Sequence, residues 1–391
     1  MNALDWILVV VVLAYAVSGY WQGFITGAFA TAGLLCGGAF GIWLAPHLLG
    51  NADPSVFVTL GALFIVVLAA TIGQATFQFV GARVRDRIRW RPVRFVDAVG
   101  GAALSAAAVL VIAWALGVAV SGTHVAGLTG LVRDSTVLAK VNAVMPARAG
   151  RLLGSFDDVV GASFFPRYLE PFEPEHIVAV GPGPQRLRHD ADVLRSGHSV
   201  VKVHGAAVCG RGVEGSGFVV RHDYVLTNAH VVAGVQHPDV VIGDQNVAAT
   251  VVAYDPETDL ALLRVDTGRL AVLPFDTSAQ ANDPVAILGY PEDGPFDLEP
   301  GRIRAEQRLR SPDIYGNGNV IRDVFSLRGL IRPGNSGGPI VESDGKVAGL
   351  VFAASVTDKD TGYALTASQV MDFVRAGVGR TAAVSTQGCS D

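Results

Sequence analysis

The stretch "RPGNSGGPI", residues 332–340, decides the fold of this chain. Gly334-x-Ser336-x-Gly338 has the spelling of a nucleophile elbow, the strand-to-helix turn of an α/β-hydrolase. It also has the spelling of the serine turn found in all-β hydrolases. A glycine-rich turn without chemistry is a third reading.

Chain order separates the three. The α/β-hydrolase arrangement needs a serine, then an acid, then a histidine. The chain holds nine histidines and the last is His237, so none follows Ser336. The order His, Asp, Ser is available. "TNAHVV" (227–232) supplies His230, "DLALLRV" (259–265) supplies Asp259, and Ser336 comes last. The subtilisin order would take Asp223 before His230, but it requires alternating helices and strands that this half of the chain lacks. His222 and His237 compete with His230 without sharing its context. Asp255 reads as a turn residue before Pro256, and Asp266 as a strand end. Asp259 opens the run Leu260–Leu263, where a side chain is held rigidly.

The surrounding sequence is β-rich. From about residue 190, short runs such as "SVVKVHG", "GSGFVVR", "YVLTNAH", "DPVAILGY" and "KVAGLVFAAS" alternate with turn residues. Many short strands with few helices predict an antiparallel barrel or sandwich. About twelve strands are expected, enough for two six-stranded barrels. "DADVLRSGH" predicts a short helix before them, and "SQVMDFVRAGV" a closing amphipathic one.

The first third is different. Half of the 391 residues are hydrophobic and 17% are charged, which is too apolar for an ordinary soluble chain. Apolar segments at 4–20, 24–45, 56–80 and 95–120 predict four membrane-spanning helices across a hydrocarbon core of about 30 Å. Trp6, Tyr20 and Trp21 suit the two interfaces of the first. That segment lacks a basic start and is followed at once by another, which argues against a signal peptide. "RVRDRIRWRPVR" (83–94) carries Arg83, Arg85, Arg87, Arg89, Arg91 and Arg94 between the third and fourth spans. Positive-inside bias puts this loop in the cytoplasm, and both the N-terminus and everything after about Val120 outside. Gly33, Gly37 and Gly41 recur at i+4 and predict close helix packing. Gln74, Gln78 and Asp97 read either as interhelical hydrogen-bonding groups or as a transport path. The net charge of −5, without a basic aromatic-interleaved stripe, excludes a general nucleic-acid binder.

Three parts result: a four-helix membrane domain over 1–120, helical and irregular pieces over 121–189, and an all-β domain over 190–391. "FPRYLEPFEPEH" (165–176) and "VGPGPQ" (180–185) predict a proline-stiffened linker at about 166–190. Such a segment is exposed to cleavage, including self-cleavage.

"TNAHVV", "DLALLRV" and "GNSGGPI" resemble the three catalytic blocks of the trypsin-like serine proteases, most nearly the bacterial high-temperature-requirement branch. The likeness covers about residues 199–367. The whole architecture resembles the actinobacterial membrane-anchored periplasmic proteases of acid resistance, and its first part the colicin V production protein family. The resemblance implies a double-barrel fold and a membrane-anchored endopeptidase, with His230 as general base, Asp259 orienting it and Ser336 as nucleophile. Gly334 and Ser336 then supply the oxyanion-binding N–H groups. Leu330, Val351, Phe352 and Ala353 fall at the substrate pocket, which the uncharged Leu330 and Phe352 would make apolar, although both of these equally suit a barrel core. No cofactor or metal is implied. The partners are protein or peptide substrates of the cell envelope and the lipid bilayer. Zymogen-activated relatives carry an aspartate before the serine, which pairs with a new N-terminus. Asn335 stands there instead, so activation is not expected to need one. The residues after Ser336 are needed to finish the barrel, so no PDZ module is expected. A catalytic histidine acts as a base only when neutral, so the rate should fall on the acid side.

Of the three cysteines, Cys36 lies in the second span and reads as packing. Cys209 and Cys389 fall in the outer domain, where an oxidising exterior allows them to pair. Redox control is the alternative. A scaffold or stress sensor, whose protease-like domain holds peptides without cutting them, is the competing reading of the whole chain.

Overall fold

The structure, a computed structural model, describes residues 1–49, 56–88, 90–121, 128–146, 172, 175–318, 320–355 and 357–390. They form two compact units: Met1–Gly117 with Ser135–Val144, and Val118–Asp134 with Met145–Asp391.

The first unit is helical. Helices α1 (Ala3–Gln22), α2 (Phe24–Leu49), α3 (Val56–Asp86) and α4 (Arg91–Ser121) each contain a stretch long and apolar enough to cross a membrane. The glycine stripe of α2 acts as its spacing predicts. A Cβ on Gly33 would lie 2.3 Å from the Gly73 carbonyl oxygen, and one on Gly37 2.3 Å from that of Ala69. Only backbone fits there, so α2 and α3 approach at a distance no larger residue allows. Gly19 and Gly101 make a second such contact between α1 and α4, where either Cβ would come within 2.4 Å of the other's carbonyl oxygen.

Polar groups in this unit are committed to structure. Asp97 accepts from the Ile25 N–H (2.9 Å) and from Arg85 Nε (2.7 Å), which ties α4 to the start of α2 and the end of α3. This favours the packing reading of Asp97 over a transport path. Asp5, fully buried, accepts from the Ser135 and Thr136 hydroxyls and the Val137 N–H. It thereby caps helix α5 (Thr136–Val144), whose first-turn N–H groups have no partner within the helix. Cys36 is on the exposed surface of α2 rather than packed inside.

The second unit is built on thirteen strands among the described residues. Strands β1 (Val200–Ala206), β2 (Gly212–Arg221), β3 (Tyr224–Thr227), β4 (Asp239–Ile242), β5 (Gln245–Ala248), β6 (Thr250–Asp255) and β7 (Leu260–Arg264) make a seven-stranded sheet in the order β5-β4-β1-β2-β3-β7-β6. Strands β8 (Pro284–Gly289), β9 (Asp297–Ser311), β10 (Val320–Arg328), β11 (Pro339–Val341), β12 (Val347–Ala354) and β13 (Thr361–Thr366) close into a six-stranded barrel. The first half therefore has one strand more than expected, because the polar hairpin β4–β5 adds an edge beside β1. One apolar cluster, with Phe218, Leu226 and Leu262 from the first sheet and Leu288, Leu350 and Phe352 from the barrel, joins the two halves. The predicted short helices are α6 (Ala191–Gly197), capped by the Asp190 side chain, and α7 (Ala367–Gly377).

Two segments are fastened across this β-structure. Of the linker expected at 166–190, residues 166–171, 173 and 174 lie outside the described residues. Residues 175–183 run over the closed barrel, where Arg304, Arg328 and Arg302 donate to the carbonyls of Val178, Val180 and Pro182 in turn. At the other end, Cys389 is disulfide-bonded to Cys209, 180 positions away, and the Thr386 hydroxyl donates to the Val235 carbonyl at 2.9 Å. Closing a loop of that length is worth roughly 5 kcal/mol on chain-entropy grounds.

The β11–β12 hairpin carries an electrostatic cost. Burial, with Asp276, Asp344 and Asp283 nearby, pushes the Glu342 carboxyl up to about 7, against the partial relief of Lys346. The native state then binds a proton that the unfolded chain has released between the usual glutamate range and about pH 7. This contribution to stability is therefore lost as pH rises through that window. Asp276, lowered chiefly by Ser278, and Asp344, lowered chiefly by Lys346, act with the opposite sign at more acid pH. Glu342→Gln should raise the melting temperature at pH 8 and leave it almost unchanged at pH 5, measured by thermal melts of the full chain in detergent. Equal melting curves at pH 8 would refute the assignment.

Candidate functional site

The site is assembled from the ends of strands. Strand β3 ends at Thr227, whose hydroxyl donates to the Ser216 carbonyl at 2.7 Å. The chain then turns through Asn228 and Ala229, both fully buried, into His230. Asp259 sits immediately before β7, which pairs with β3, so the pairing Thr227↔Ala261 brings the two neighbouring turns together. The Asp259 side chain is 1% exposed and that of His230 9%.

The carboxylate is held from two directions. His230 Nδ1 donates to Asp259 Oδ2 at 2.8 Å, and the His230 backbone N–H to Oδ1 at 3.0 Å. The Asn228 side-chain amide fixes the Asp259 carbonyl at 2.7 Å. Asp259 itself has φ of 61°, a left-handed conformation unusual for a residue with a side chain. Such a conformation persists only where its surroundings over-determine it. Neither competitor shares this place. Asp255 accepts from the Glu257 and Thr258 N–H groups of its own turn, and Asp266 from that of Gly268. His222 is exposed and pairs with Asp223, and His237 is exposed as well.

Ser336 lies in the turn before β11 and is 2% exposed. Its Oγ and His230 Nε2 are both buried, and neither has a hydrogen-bond partner among the described residues. Native structures rarely leave buried polar atoms orphaned, and a catalytic role is one physical reason for such an atom. The glycine after the serine is obligatory. Gly337 has φ of 81°, and a Cβ there would lie 2.1 Å from the Ser216 carbonyl oxygen.

Gly334 and Ser336 present their backbone N–H groups free of any protein acceptor among the described residues. The geometry has an identifiable cause. The Pro333 carbonyl accepts from the Glu292 N–H at 2.7 Å, and a trans peptide then turns the Gly334 N–H the opposite way. Ser216, also fully buried, locks the next carbonyl. Its Oγ donates to Gly334 at 2.6 Å and accepts from the Tyr290 N–H at 2.9 Å. Asn335, 3% exposed, accepts from the Arg332 N–H at 3.0 Å through its own side chain. That side chain therefore serves the turn locally.

The pocket residues do not group together. Val351, Phe352 and Ala353 are buried in β12, Phe352 within the cluster that joins the two halves, whereas Leu330 is 40% exposed. Ser216, Asn228 and Glu292 were not singled out from the sequence. For Ser216 a signal existed in the flanking glycines of "GSG". A Cβ on Gly215 would meet Val231 at 2.6 Å, and one on Gly217 would meet Val225 at 2.8 Å.

Comparison with known proteins agrees with this geometry. The family described as Trypsin-like peptidase domain matches residues 215–350, and the one described as Colicin V production protein matches residues 4–146. Serine protease Rv3671c of Mycobacterium tuberculosis is 35% identical over 390 residues, 99% of this chain and 98% of that one. A probable periplasmic serine endoprotease, DegP-like, of Halomonas elongata is 34% identical over 165 residues, 40% of this chain and 34% of that one. The crystal structure of the active form of the M. tuberculosis Rv3671c protease superimposes with a TM-score of 0.54 at 41% identity, covering 57% of this chain and 99% of that one. With a likeness that runs almost from end to end, the chain belongs to the trypsin-like, HtrA-like serine proteases that carry an N-terminal colicin V production domain.

Proposed function

We propose that this serine protease is a membrane-anchored extracytoplasmic endopeptidase working through His230, Asp259 and Ser336. The observation that carries the reading is the His230–Asp259 pair, set in a protease fold whose only turn of the form Gly-Asn-Ser-Gly holds a buried, unpartnered serine hydroxyl. In this reading Ser336 Oγ attacks the scissile carbonyl carbon while His230 Nε2 takes the hydroxyl proton. Asp259 keeps the proton of Nδ1 in place and stabilises the imidazolium. The N–H groups of Gly334 and Ser336 receive the developing oxyanion. As the C–N bond breaks, His230 returns the proton to the leaving amine, and water, activated by the same base, releases the acyl group. Any one of Leu330, Val351, Phe352 and Ala353 would give an apolar pocket wall, and Leu330 is the one with exposed surface.

The membrane helices serve as the anchor, with the arginine loop in the cytoplasm and the protease outside. The Cys209–Cys389 disulfide suits an oxidising compartment and supports that orientation. The membrane domain over 1–120 and the protease over 190–391 act as the two functional parts, and the docked stretch from 175 joins the second. The substrates are envelope proteins, in a role in acid or oxidative stress resistance.

Ser336→Ala should abolish labelling by a fluorophosphonate and lower peptide hydrolysis by about 10⁴-fold or more, with the melting curve retained. Labelling that survives the substitution would overturn the assignment of Ser336, and a wild type that takes no label would leave only a peptide-binding scaffold. Ser216→Ala tests the support of the oxyanion turn. It strands the Gly334 carbonyl and the Tyr290 N–H in a buried place, which costs about 1–3 kcal/mol. Urea unfolding should show that loss, and kcat should fall while KM changes little; an unaltered kcat would detach Ser216 from the turn's function.

A further inference from the structure

Arg322 carries a charge that the mechanism above does not use. It lies in β10 of the closed barrel and is 2% exposed, yet it makes no ion pair among the described residues. Its Nη2 donates to the Glu257 carbonyl, and its Nη1 to the Ser311 hydroxyl and to the Pro312 carbonyl at 3.1 Å. Its Nε is buried without a partner. Close by, the Ile314 N–H donates to the Pro256 carbonyl at 3.2 Å, and the Tyr254 and Tyr315 hydroxyls meet at 2.6 Å. The β9–β10 hairpin of the barrel thus grips the turn at 255–259 that ends in Asp259.

We infer that Arg322 is a positioning residue for Asp259, fixing its turn through the Glu257 carbonyl and balancing part of the aspartate's charge from the second barrel. The inference rests on the triad reading of Asp259. A buried cation without an ion pair is expensive, and a neutral donor such as glutamine would hold the Glu257 carbonyl as well. The positive charge is explained if it acts on the acids around it. Those acids are Asp259, Asp255, Asp313 and Glu257, and they oppose the downward push that burial exerts on the guanidinium, Asp259 most strongly. Asp259 also has a left-handed backbone that something must impose, and Glu257 stands two residues before it.

The role has a signature that a mere brace lacks. A positive charge acting on the catalytic pair through Asp259 disfavours the protonated, inactive state of the site. The acid limb of kcat/KM should therefore move to higher pH in Arg322→Gln. Arg322→Lys keeps the charge but not the forked reach to three acceptors. Its acid limb should stay in place while kcat drops about tenfold or more as the aspartate loosens.

The test is a pH profile of kcat/KM on a fluorogenic peptide for the full-length wild type, Arg322→Gln and Arg322→Lys, each checked for cooperative melting. An acid limb in folded Arg322→Gln that superimposes on wild type overturns the electrostatic part. An Arg322→Lys variant with wild-type kcat overturns the positioning part. If Arg322→Gln does not fold, Arg322→Lys decides alone: a displaced acid limb or an unchanged kcat overturns the inference, and a fixed limb with lowered kcat supports it. Ser336→Ala and His230→Ala run alongside. Activity retained in them removes the triad reading itself, whereas their inactivity with unaltered Arg322 profiles removes only this inference.

Discussion

An almost dry aspartate in a left-handed backbone is the constraint on which the rest of the site depends. Taking a carboxylate out of water costs several kcal/mol unless its oxygens find donors. Asp259 finds both in one residue, the His230 N–H and the His230 ring, so the interaction that orients the imidazole also keeps the aspartate tolerable where it is. This works only if the turns after β3 and before β7 stand side by side. The register of β3 on β7 sets that spacing, and the buried run Leu260–Leu263 sets the register. Packing in the first sheet is thereby converted into the position of one ring nitrogen.

The turn at Ser336 solves a different problem. The proposed function asks backbone groups rather than side chains to point at the reacting atom, so the carbonyls have to be taken by other donors. Glu292 takes that of Pro333, the Ser216 hydroxyl takes that of Gly334, and the Ser216 N–H takes that of Ser336 at 2.7 Å. Two of these donors come from β2 of the first sheet and one from the loop after β8. The turn is therefore held by contacts from both halves of the unit, and the apolar cluster they share supports the proposed oxyanion geometry. Glu292, itself left-handed at φ 55°, shows that backbone strain is spent in this supporting loop as well as at Asp259.

What was legible in the sequence follows from this division. The proposed triad of His230, Asp259 and Ser336 stands out in the sequence because each residue lies in a run whose residue types are dictated by a turn or a strand, and because no histidine follows Ser336. The four apolar segments and the α2 glycine stripe could be read because length and spacing alone carry the physics. Glu292, Arg322 and Asp5 could not, and Ser216 only through the glycines that flank it. Each acts on a backbone group far away in sequence, and a backbone carbonyl or N–H has no residue type to announce it. Glu292 acts through its own N–H, so its side chain is no guide at all. Asp5 and Ser135 are 130 positions apart, and nothing in either neighbourhood predicts the contact. The pocket was read from family position, and there burial in β12 claims three of the four side chains.

The segment ahead of the protease is held by the same kind of distant side-chain contact to backbone groups. A run such as Val-Gly-Pro-Gly-Pro forms neither helix nor ladder, so its carbonyls must be met from outside or left to water. Three arginines on β9 and β10 meet them at every second residue, which is the spacing of an extended chain. Arg304 gains most from this, since its side chain is only 5% exposed and its Nη1 has the Val178 carbonyl as acceptor. At the start of the segment, Glu175 accepts from the Ser355 hydroxyl, which also receives the N–H groups of Thr357 and Asp358 beyond β12. Stripping residues 175–183 away would leave a buried guanidinium short of an acceptor and free the loop after β12. A cut that releases the protease with its structure intact therefore belongs before Glu175, and composition alone, which makes all of 166–190 look equally cleavable, misses that boundary because the partners of the proline-rich run lie more than a hundred residues further along the chain.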